Sequence, residues 1–346
     1  MAAERRRTPR HIRPGAAVTV LLCAVMTAGL YGCADSGTPE PTPTPAPSTP
    51  IPSTPIPSTP LPQGRSPFTG LPAQPAPVLA VKIDNVPPAR PHTGLGAAEL
   101  VYVEQVEGGQ TRLLAVYSAE LPERIGPVRS ARESDIELLR QFDNPALAYS
   151  GSQGGLKPLL QAAPLEALPP EDAPGAYVRD RGRAAPHNLY VLPGRALAAA
   201  PDAGDAKDIG FRFGPAPSGG EPVNERTVRF PASRYTFTWS PADKGWRIAM
   251  DGSPARTTDE GPVTASTVVV QYVNIRDSRF RDVLGSVSPY TETVGSGSAV
   301  VLRDGRAHDA RWSRPAAPNG TSFTTPDGAP LNFAPGKTWV VLAPRG

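Results

Sequence analysis

Cysteine is nearly absent from this sequence. Two cysteines occur among 346 residues, Cys23 within an apolar run and Cys33 just after it. A folded region that begins later has no thiol, which excludes disulfides, zinc–thiolate sites, iron–sulfur clusters and cysteine nucleophiles there. Such a region must be held together by its hydrophobic core, and the roughly 280 residues that follow a proline-rich segment are enough to form one.

Histidine is also scarce, and neither sign of charge dominates. The four histidines lie far apart without the short spacing of metal ligands, so we expect no metal site and no cofactor. The net charge of +3 depends on residues 1–32, which contain five arginines and one glutamate; without them it is −1. The basic isoelectric point of the whole chain is therefore no sign of nucleic-acid binding.

The N-terminus carries the features of an export signal. A basic segment, RRRTPRHIR, precedes an apolar run over residues 16–30, and in the following LYGC Leu30, Gly32 and Cys33 match a lipoprotein signal. The run is shorter than the ~20 residues that a membrane span needs. We predict that residues 1–32 are a signal peptide and that lipid on Cys33, including palmitate, anchors the protein at the outer face of the bacterial cytoplasmic membrane. The alternatives are an ordinary cleaved signal and an uncleaved anchor.

Proline dominates the next segment. Residues 33–66 contain the repeat IPSTP and almost no residues that could form a core. Proline at this density favours an extended polyproline II chain of ~3.1 Å per residue. We predict a disordered tether with a reach of roughly 100 Å, and we favour a passive spacer over a binding role.

The remaining chain predicts an α+β fold in two parts. Residues 67–215 interleave strands with helices around a central sheet: PVLAVKID and PALAYSG are strand-like, a hairpin surrounds Gly108-Gly109, and GGLKPLLQAA and PGRALAAA are helix-like. Residues 221–346 are β-rich, with a hairpin across SPADKG and a turn at Asp304-Gly305. Residues 202–220 connect the two parts.

The stretch GPVRSARESD places arginines where a helix is predicted to begin. Ser130 followed by Glu133 has the spacing of a capping box, and Asn144-Pro145 would end the helix. Because a helix N-terminus is partly positive, Arg129 and Arg132 are unfavourable there by ~0.3–1 kcal/mol unless an anion lies nearby. We therefore expect these arginines to face Asp84, Glu107 or a bound anionic group.

Further polar residues cluster at predicted strand ends and loops of the first part. The candidate catalytic residues are Glu107, Asp84 and His187, and the candidate ligand-binding residues are Asn85, Arg90, Arg112, Arg129, Ser130, Arg132, Asp135, Arg183 and Asn188. Each has a structural alternative. Asp84 and Asn85 can be turn residues, Glu107 can form a surface pair with Arg112 worth ~0–1 kcal/mol, Ser130 can be only a cap, and His187 an ordinary loop residue.

Several motifs, in order, resemble one family. VKIDNVPPARPHTGL, AELVYVEQVEGGQTRLLAVY, IGPVRSARESD and APHNLYV lie in the first part, and GSGSAVVLRDG and PGKTWVVL in the second. Together they resemble the YerB-like family of bacterial lipoproteins, a two-domain family of unknown function. The resemblance implies envelope placement and two domains but no reaction. One departure is that Val103, not an acidic residue, follows the Val-Tyr pair, which favours Glu107 over Glu104 as a candidate acid.

Three functions remain open from the sequence. In the first, Arg112, Arg129, Arg132 and Arg183 bind an anionic cell-envelope ligand such as a wall polymer. In the second, the protein is a glycan-cleaving enzyme in which Glu107 or Asp84 is the acid and His187 or the other carboxylate is the base. In the third, it is an envelope scaffold whose arginines pair with its own carboxylates.

Overall fold

The computed structural model describes residues 64–282 and 285–345. The predicted signal peptide, the lipidation site Cys33 and the tether up to residue 63 lie outside the described residues. Ser66, at the end of the predicted tether, is buried and its hydroxyl donates a hydrogen bond of 2.8 Å to Glu99. In the described ranges, no helix has the length and apolarity needed to cross a membrane.

The first part alternates strands with short helices, as its sequence predicts. Its strands are β1 (Leu79–Asp84), β2 (Leu100–Gln105), β3 (Thr111–Tyr117), β4 (Ala146–Ala148), β5 (Glu166–Leu168), β6 (Tyr177–Arg179) and β7 (Leu189–Val191). Its helices are α1 (Glu133–Leu139), α2 (Lys157–Ala162) and α3 (Pro193–Ala198), with short 3-10 helices at Pro87–Ala89, Leu95–Ala97, Glu107–Gly109, Arg140–Phe142 and Pro174–Ala176. The hairpin around Gly108-Gly109 is confirmed, because β2 and β3 pair antiparallel across it.

The second part is composed of strands. They are β8 (Glu221–Pro222), β9 (Glu225–Arg229), β10 (Arg234–Ser240), β11 (Gly245–Met250), β12 (Ser253–Pro254), β13 (Arg256–Thr257), β14 (Gly261–Pro262), β15 (Thr264–Ala265), β16 (Thr267–Val273), β17 (Ile275–Arg281), β18 (Val287–Thr291), β19 (Gly295–Arg303), β20 (Arg306–Arg314), β21 (Ser322–Thr324) and β22 (Thr338–Pro344). The hairpins predicted across SPADKG and Asp304-Gly305 are confirmed as β10–β11 and β19–β20. The α+β fold class is likewise found.

One sheet runs through both parts. Its 11 strands include the path β21-β20-β19-β16-β22-β2-β3-β1-β4-β5, with β8 pairing with β20. The strand β22 lies parallel to β16 on one side and to β2 on the other. The last strand of the chain therefore joins the C-terminal strands to the N-terminal ones by continuous backbone hydrogen bonds.

The sheet has a hydrophobic core on each face. Side chains alternate along β1, so that Val81 and Ile83 face one core while Ala80 faces the other. The first core is closed by a second sheet, of order β12-β11-β10-β9 with β15 on β11, which contributes Tyr235 and Trp246. The second core is closed by α1, α2 and the 3-10 helix that follows α1.

The predicted helix cap at Ser130 is wrong. Helix α1 begins at Glu133 with Arg132 as its N-cap, and the Asp135 carboxylate accepts a hydrogen bond of 2.6 Å from the Arg132 backbone N–H. The preceding segment is held by its neighbours: the Arg129 N–H donates to the Lys82 carbonyl, and the Ala131 N–H to the Gly151 carbonyl. The helix therefore begins two residues later than predicted, after a segment that bonds to distant parts of the chain.

The C-terminal part also covers α1. The Thr291 backbone N–H of β18 donates to the Ser134 hydroxyl at 2.9 Å, and the Tyr290 hydroxyl donates to Glu137 at 2.9 Å. The hairpin β17–β18 therefore packs on α1, which directly follows Arg129 and Arg132 in the sequence.

Trp339 provides a test of the shared sheet. It lies on β22, 2% exposed, between Val101 of β2 and Val268 of β16. We expect Trp339→Ala to lower the free energy of unfolding by about 3–5 kcal/mol, in one transition that involves both parts. The measurement is urea unfolding followed by far-UV circular dichroism. Leu121→Ala, at a side chain 39% exposed, serves as the control with an effect of about 0.5 kcal/mol or less. Two separate transitions would contradict this expectation.

Candidate functional site

The candidate residues meet at one end of the N-terminal strands. Asp84 ends β1 and lies opposite Arg112 on β3, and Arg112 lies opposite Glu104 on β2. Cross-strand partners project from the same face of a sheet. The segment before α1 and the loop before β7 add the remaining members. We call the resulting group the arginine cluster; it consists of Asp84, Glu107, Arg112, Arg129, Arg132 and His187.

Asp84 orients His187 within this cluster. Its side chain is 3% exposed, and its Oδ2 lies 2.8 Å from His187 Nδ1 and 3.3 Å from Arg129 Nε. Because an ionised carboxylate can only accept, Nδ1–H is the donor, and in the neutral ring the lone pair is then on Nε2. The His187 side chain is 19% exposed, and its Nε2 has no hydrogen-bond partner among the described residues.

Glu107 is held by Arg132 in a two-point ion pair. Arg132 Nε lies 2.7 Å from Oε1 and Nη2 lies 2.6 Å from Oε2, and the Ser288 hydroxyl of β18 also donates to Oε1. Burial raises the pKa of Glu107, but the hydrogen bonds and charge of Arg132, with Ser288, lower it by more, so the net pKa is below its usual value. Glu107 is thus kept ionised, which does not suit a proton donor.

The two arginines that precede α1 both face carboxylates of the protein. Arg129 faces Asp84 and Arg132 faces Glu107, so both lie against carboxylates, as we expected. The partner of Glu107 is Arg132, not Arg112 as in the structural alternative.

Among the arginines of the cluster, Arg112 is the one that forms no ion pair with a carboxylate of the described residues. Its one hydrogen bond among the described residues runs from Nη1 to the Ser130 carbonyl, at 2.9 Å, and it forms no ion pair within 4 Å there. Burial, followed by the positive charge of Arg132, lowers the pKa of Arg112 to about 9. The cluster therefore holds a half-buried positive charge that no carboxylate of the described chain contacts at ion-pair distance.

Arg129 also has unused donor atoms. It approaches Asp84 through Nε, and neither Nη1 nor Nη2 has a hydrogen-bond partner within residues 64–282 and 285–345. Its side chain is 29% exposed. Arg129 and His187 thus contact the same oxygen of Asp84, and Arg112 is the cross-strand partner of Asp84.

A second set of charges lies buried beside the cluster. Lys82 Nζ lies 2.5 Å from Glu104 Oε2 and 2.6 Å from Asp135 Oδ1, and all three side chains are at most 1% exposed. Asp135, a predicted ligand-binding residue, thus has its oxygens engaged by Lys82 and by the Arg132 backbone. Its surroundings give it a structural role, because it lies beneath the surface that a ligand could reach.

Lys82 is not among the residues that the sequence singles out, and Glu104 is considered there only as a less favoured acid than Glu107. Lys82 lies within LAVKID, whose six residues are all buried, and in the sequence it interrupts an otherwise apolar run. A lysine in a buried strand is rarely without a partner, and this signal could have directed the search toward a buried carboxylate.

Asn85 and Arg90 lie elsewhere and join the two sheets. The Asn85 amide donates to Thr111 Oγ1 at 3.2 Å and to the Tyr235 hydroxyl of β10. Arg90 donates to Asp251 Oδ2 at 2.8 Å and to the Asn85 carbonyl at 2.6 Å. Asn85 and Arg90 therefore contact other parts of the protein and lie outside the arginine cluster.

Three further predicted ligand residues also bond to the protein itself. Arg183 donates to the carbonyls of Ala89 and Pro91 at 2.8 and 2.6 Å. The Asn188 side-chain oxygen accepts from Arg179 at 2.8 Å, and Ser130 contributes its carbonyl to Arg112. The structure therefore reduces the candidate surface to the arginine cluster. Within the described ranges, no group of three or more His, Cys, Asp or Glu side chains is placed to hold a metal ion.

The two halves of one family match this chain. The profile described as "Protein of unknown function (DUF3048) N-terminal domain" matches residues 68–206, and that described as its C-terminal domain matches residues 226–340. The chain belongs to this family. The resemblance to YerB-like proteins is thereby confirmed.

Relatives from Bacillus subtilis support the same assignment. The protein named "Putative lipoprotein YerB" of strain 168 is 27% identical over 294 residues, which are 81% of this chain and 86% of that protein. The crystal structure of the YerB protein from Bacillus subtilis has a TM-score of 0.71 at 23% identity and covers 81% of this chain and 97% of its own. At this identity the structural match shows a shared fold.

The raised pKa of Glu104 leads us to expect that the stability of the protein depends on pH. Burial raises its pKa, Lys82 lowers it and Asp135 raises it again, so that the pKa moves from 4.5 to about 8. Between these values the folded protein binds a proton more strongly than the unfolded chain, so the free energy of unfolding falls as pH rises. In Glu104→Gln the amide oxygen can still accept from Lys82 without titrating, and we expect this fall to be smaller.

The measurement is the urea midpoint at pH 5 and pH 8 for wild type and Glu104→Gln. The control is Glu123→Gln, at an exposed residue, which we expect to follow wild type. Equal pH dependence in Glu104→Gln and wild type would show that Glu104 does not retain its proton in the folded protein.

Proposed function

We propose that this protein is a lipid-anchored lipoprotein of the bacterial cell envelope that binds an anionic ligand at the arginine cluster. The observation that carries the proposal is Arg112, a half-buried residue whose guanidinium has one hydrogen bond to a carbonyl and no carboxylate within ion-pair distance in the described chain. A charge that is partly removed from water and has no counter-ion is unfavourable. An anionic ligand would supply the missing counter-ion.

The charge count of the cluster supports this reading. Arg112, Arg129 and Arg132 carry three positive charges, whereas Asp84 and Glu107 carry two negative charges. One positive charge is left over in partly desolvated surroundings, where charge–charge interactions are stronger than in water. Guanidinium groups with open N–H donors bind carboxylate and phosphate oxygens well. A wall polymer that carries such groups is the expected ligand.

The envelope location rests on the N-terminal signal and on the relative. The LYGC sequence ends in Cys33, and the relative from Bacillus subtilis is named as a lipoprotein. Attachment of lipid to Cys33 would place the folded part at the outer face of the cytoplasmic membrane. The proline-rich segment would separate it from the bilayer.

The scaffold hypothesis is favoured by the pairs Arg132–Glu107 and Arg129–Asp84, which satisfy charges internally. It does not account for Arg112.

The glycan-cleaving hypothesis requires a carboxyl group that donates a proton. Glu107 is unsuited to this because Arg132 keeps it ionised, and Asp84 is occupied by His187 and Arg129. His187 is the acid–base group that these contacts leave accessible.

Arg112→Met tests the binding proposal. The methionine fills much of the same space without a charge, so we expect the melting temperature without ligand to be equal to or above that of wild type. Wild type at phosphate concentrations of 100 times Kd would gain about 2.7 kcal/mol, and we expect Arg112→Met to lose most of this gain. The measurements are thermal unfolding with inorganic phosphate and sedimentation with purified anionic wall polymer.

Arg311→Met is the matched control, because Arg311 is exposed on β20. We expect it to bind like wild type. Arg132 is less suited to such a test, since its removal would leave the buried Glu107 carboxylate unpaired. A less stable Arg112→Met protein with unchanged binding would reject the proposal and favour the scaffold.

Cys33→Ser tests the anchor. Without the thiol that accepts lipid, the protein should move from the membrane fraction to the soluble extracytoplasmic fraction and should no longer incorporate radioactive palmitate. Cell fractionation with immunoblotting is the measurement, and Cys23→Ser is the control that should remain in the membrane fraction. Membrane retention of Cys33→Ser would indicate an uncleaved anchor.

A further inference from the structure

We infer that Asp84 and His187 form a general acid–base pair that cleaves phosphodiesters, with Arg112 and Arg129 binding the phosphoryl group. This inference rests on the proposed anion-binding function and names the substrate class of the same site. It differs from the glycan-cleaving hypothesis in both the bond that is broken and the residues that act.

The first argument is the orientation of His187. Its Nδ1 is 2.8 Å from the buried Asp84 carboxylate, so the neutral ring carries its basic lone pair on Nε2. That atom belongs to a side chain 19% exposed and has no partner in the described chain. A histidine held at one nitrogen by a carboxylate and open at the other is the arrangement that general base catalysis requires.

The second argument is the placement of cations beside the carboxylate that holds His187. Asp84 Oδ2 contacts both His187 and Arg129, at 2.8 and 3.3 Å, so the two side chains are neighbours. Arg112 is the cross-strand partner of Asp84. A group bound between the two arginines would therefore lie near the His187 ring, and guanidinium donors would stabilise the negative charge that develops on it.

The third argument concerns the substrate class. A phosphodiester carries one negative charge on two non-bridging oxygens, which matches the single excess positive charge of the cluster and the fork of N–H donors on a guanidinium. A glycoside or a peptide is neutral at the bond to be cleaved and would leave Arg112 without a counter-ion. A carboxylate would supply the charge but offers water no bond to cleave at the charged group.

The reaction is a hydrolysis with water as the co-reactant. His187 Nε2 takes a proton from water while the water oxygen forms a bond to phosphorus. The bond between phosphorus and one ester oxygen breaks, and its electron pair remains on that oxygen. The imidazolium then returns its proton to the departing alkoxide, and Asp84 stabilises the imidazolium in between. The products are a phosphate monoester and an alcohol, and no oxidation or reduction occurs.

Glu107 and Arg132 have a supporting part in this site. Their two-point ion pair occupies the Arg132 donors, so Arg132 contributes charge to the cluster without binding the phosphoryl group itself. Its neighbour Arg112 keeps its remaining donors for the substrate. Asp84 is a positioning residue, because it acts through His187.

The experiment uses the full chain purified in detergent, with two probes: bis(4-nitrophenyl) phosphate, followed by absorbance, and a synthetic glycerol-phosphate oligomer, followed by phosphorus NMR. We expect wild type to release nitrophenolate and to convert diester resonances into monoester resonances. His187→Ala should lower kcat by about 10²–10⁴-fold. Arg112→Met should mainly raise KM.

Two variants separate catalysis from folding. Asp84→Asn should lower kcat and move the pH profile, because the amide can hold the ring in the wrong tautomer; a merely structural Asp84 would leave the profile in place. His308→Gln, on β20, should retain wild-type activity. Circular dichroism checks that each variant is folded.

The outcomes distinguish this inference from the function on which it rests. Phosphate binding that depends on Arg112, without cleavage of either probe by wild type, would overturn the catalytic inference and leave the binding function intact. Neither binding nor cleavage would overturn both. Cleavage that persists in folded His187→Ala would overturn the assignment of the base.

Discussion

The pairing of β22 between β16 and β2 is the contact on which the rest of the structure depends. The last strand of the chain enters the middle of the sheet and hydrogen-bonds to strands of both parts. It thereby places the β17–β18 hairpin over α1, where Ser288 reaches Glu107 and Thr291 reaches Ser134. A site composed of N-terminal residues is thus completed and covered by C-terminal ones.

The burial of charged side chains is the second constraint. Two groups of charged residues lie in the protein, one fully buried and one partly buried. Lys82, Glu104 and Asp135 are fully buried, and their contacts satisfy most of their charge among themselves. The arginine cluster is only partly buried and is incompletely paired, since Arg112 lacks a carboxylate. A buried set that is nearly neutral supports the fold, whereas a partly open set with excess charge is available to a ligand.

Local signals in the sequence were sufficient for much of the architecture. The strands β1 and β3, the turn at Gly108-Gly109 and the end of the helix before Pro145 follow from apolar runs and from turn residues, and all are present. The cap at Ser130 failed because its segment bonds to Lys82 and Gly151, which are distant in sequence. Among the candidate residues, Asp84, Arg129, Arg132 and Glu107 pair as the charge argument required, but Asn85, Arg90 and Arg183 bond to the protein itself.

The sequence by itself predicts an export signal and determined the absence of thiols after Cys33, the α+β class and the family, because each depends on composition or on motifs read along the chain. Only the tertiary structure decided which charges meet. Arg112 could have paired with Glu107 on the return of its own hairpin, yet Glu107 binds Arg132, and His187 reaches Asp84 across 103 positions of sequence. Such contacts are set by strand register and by the packing of distant segments, which local sequence does not encode.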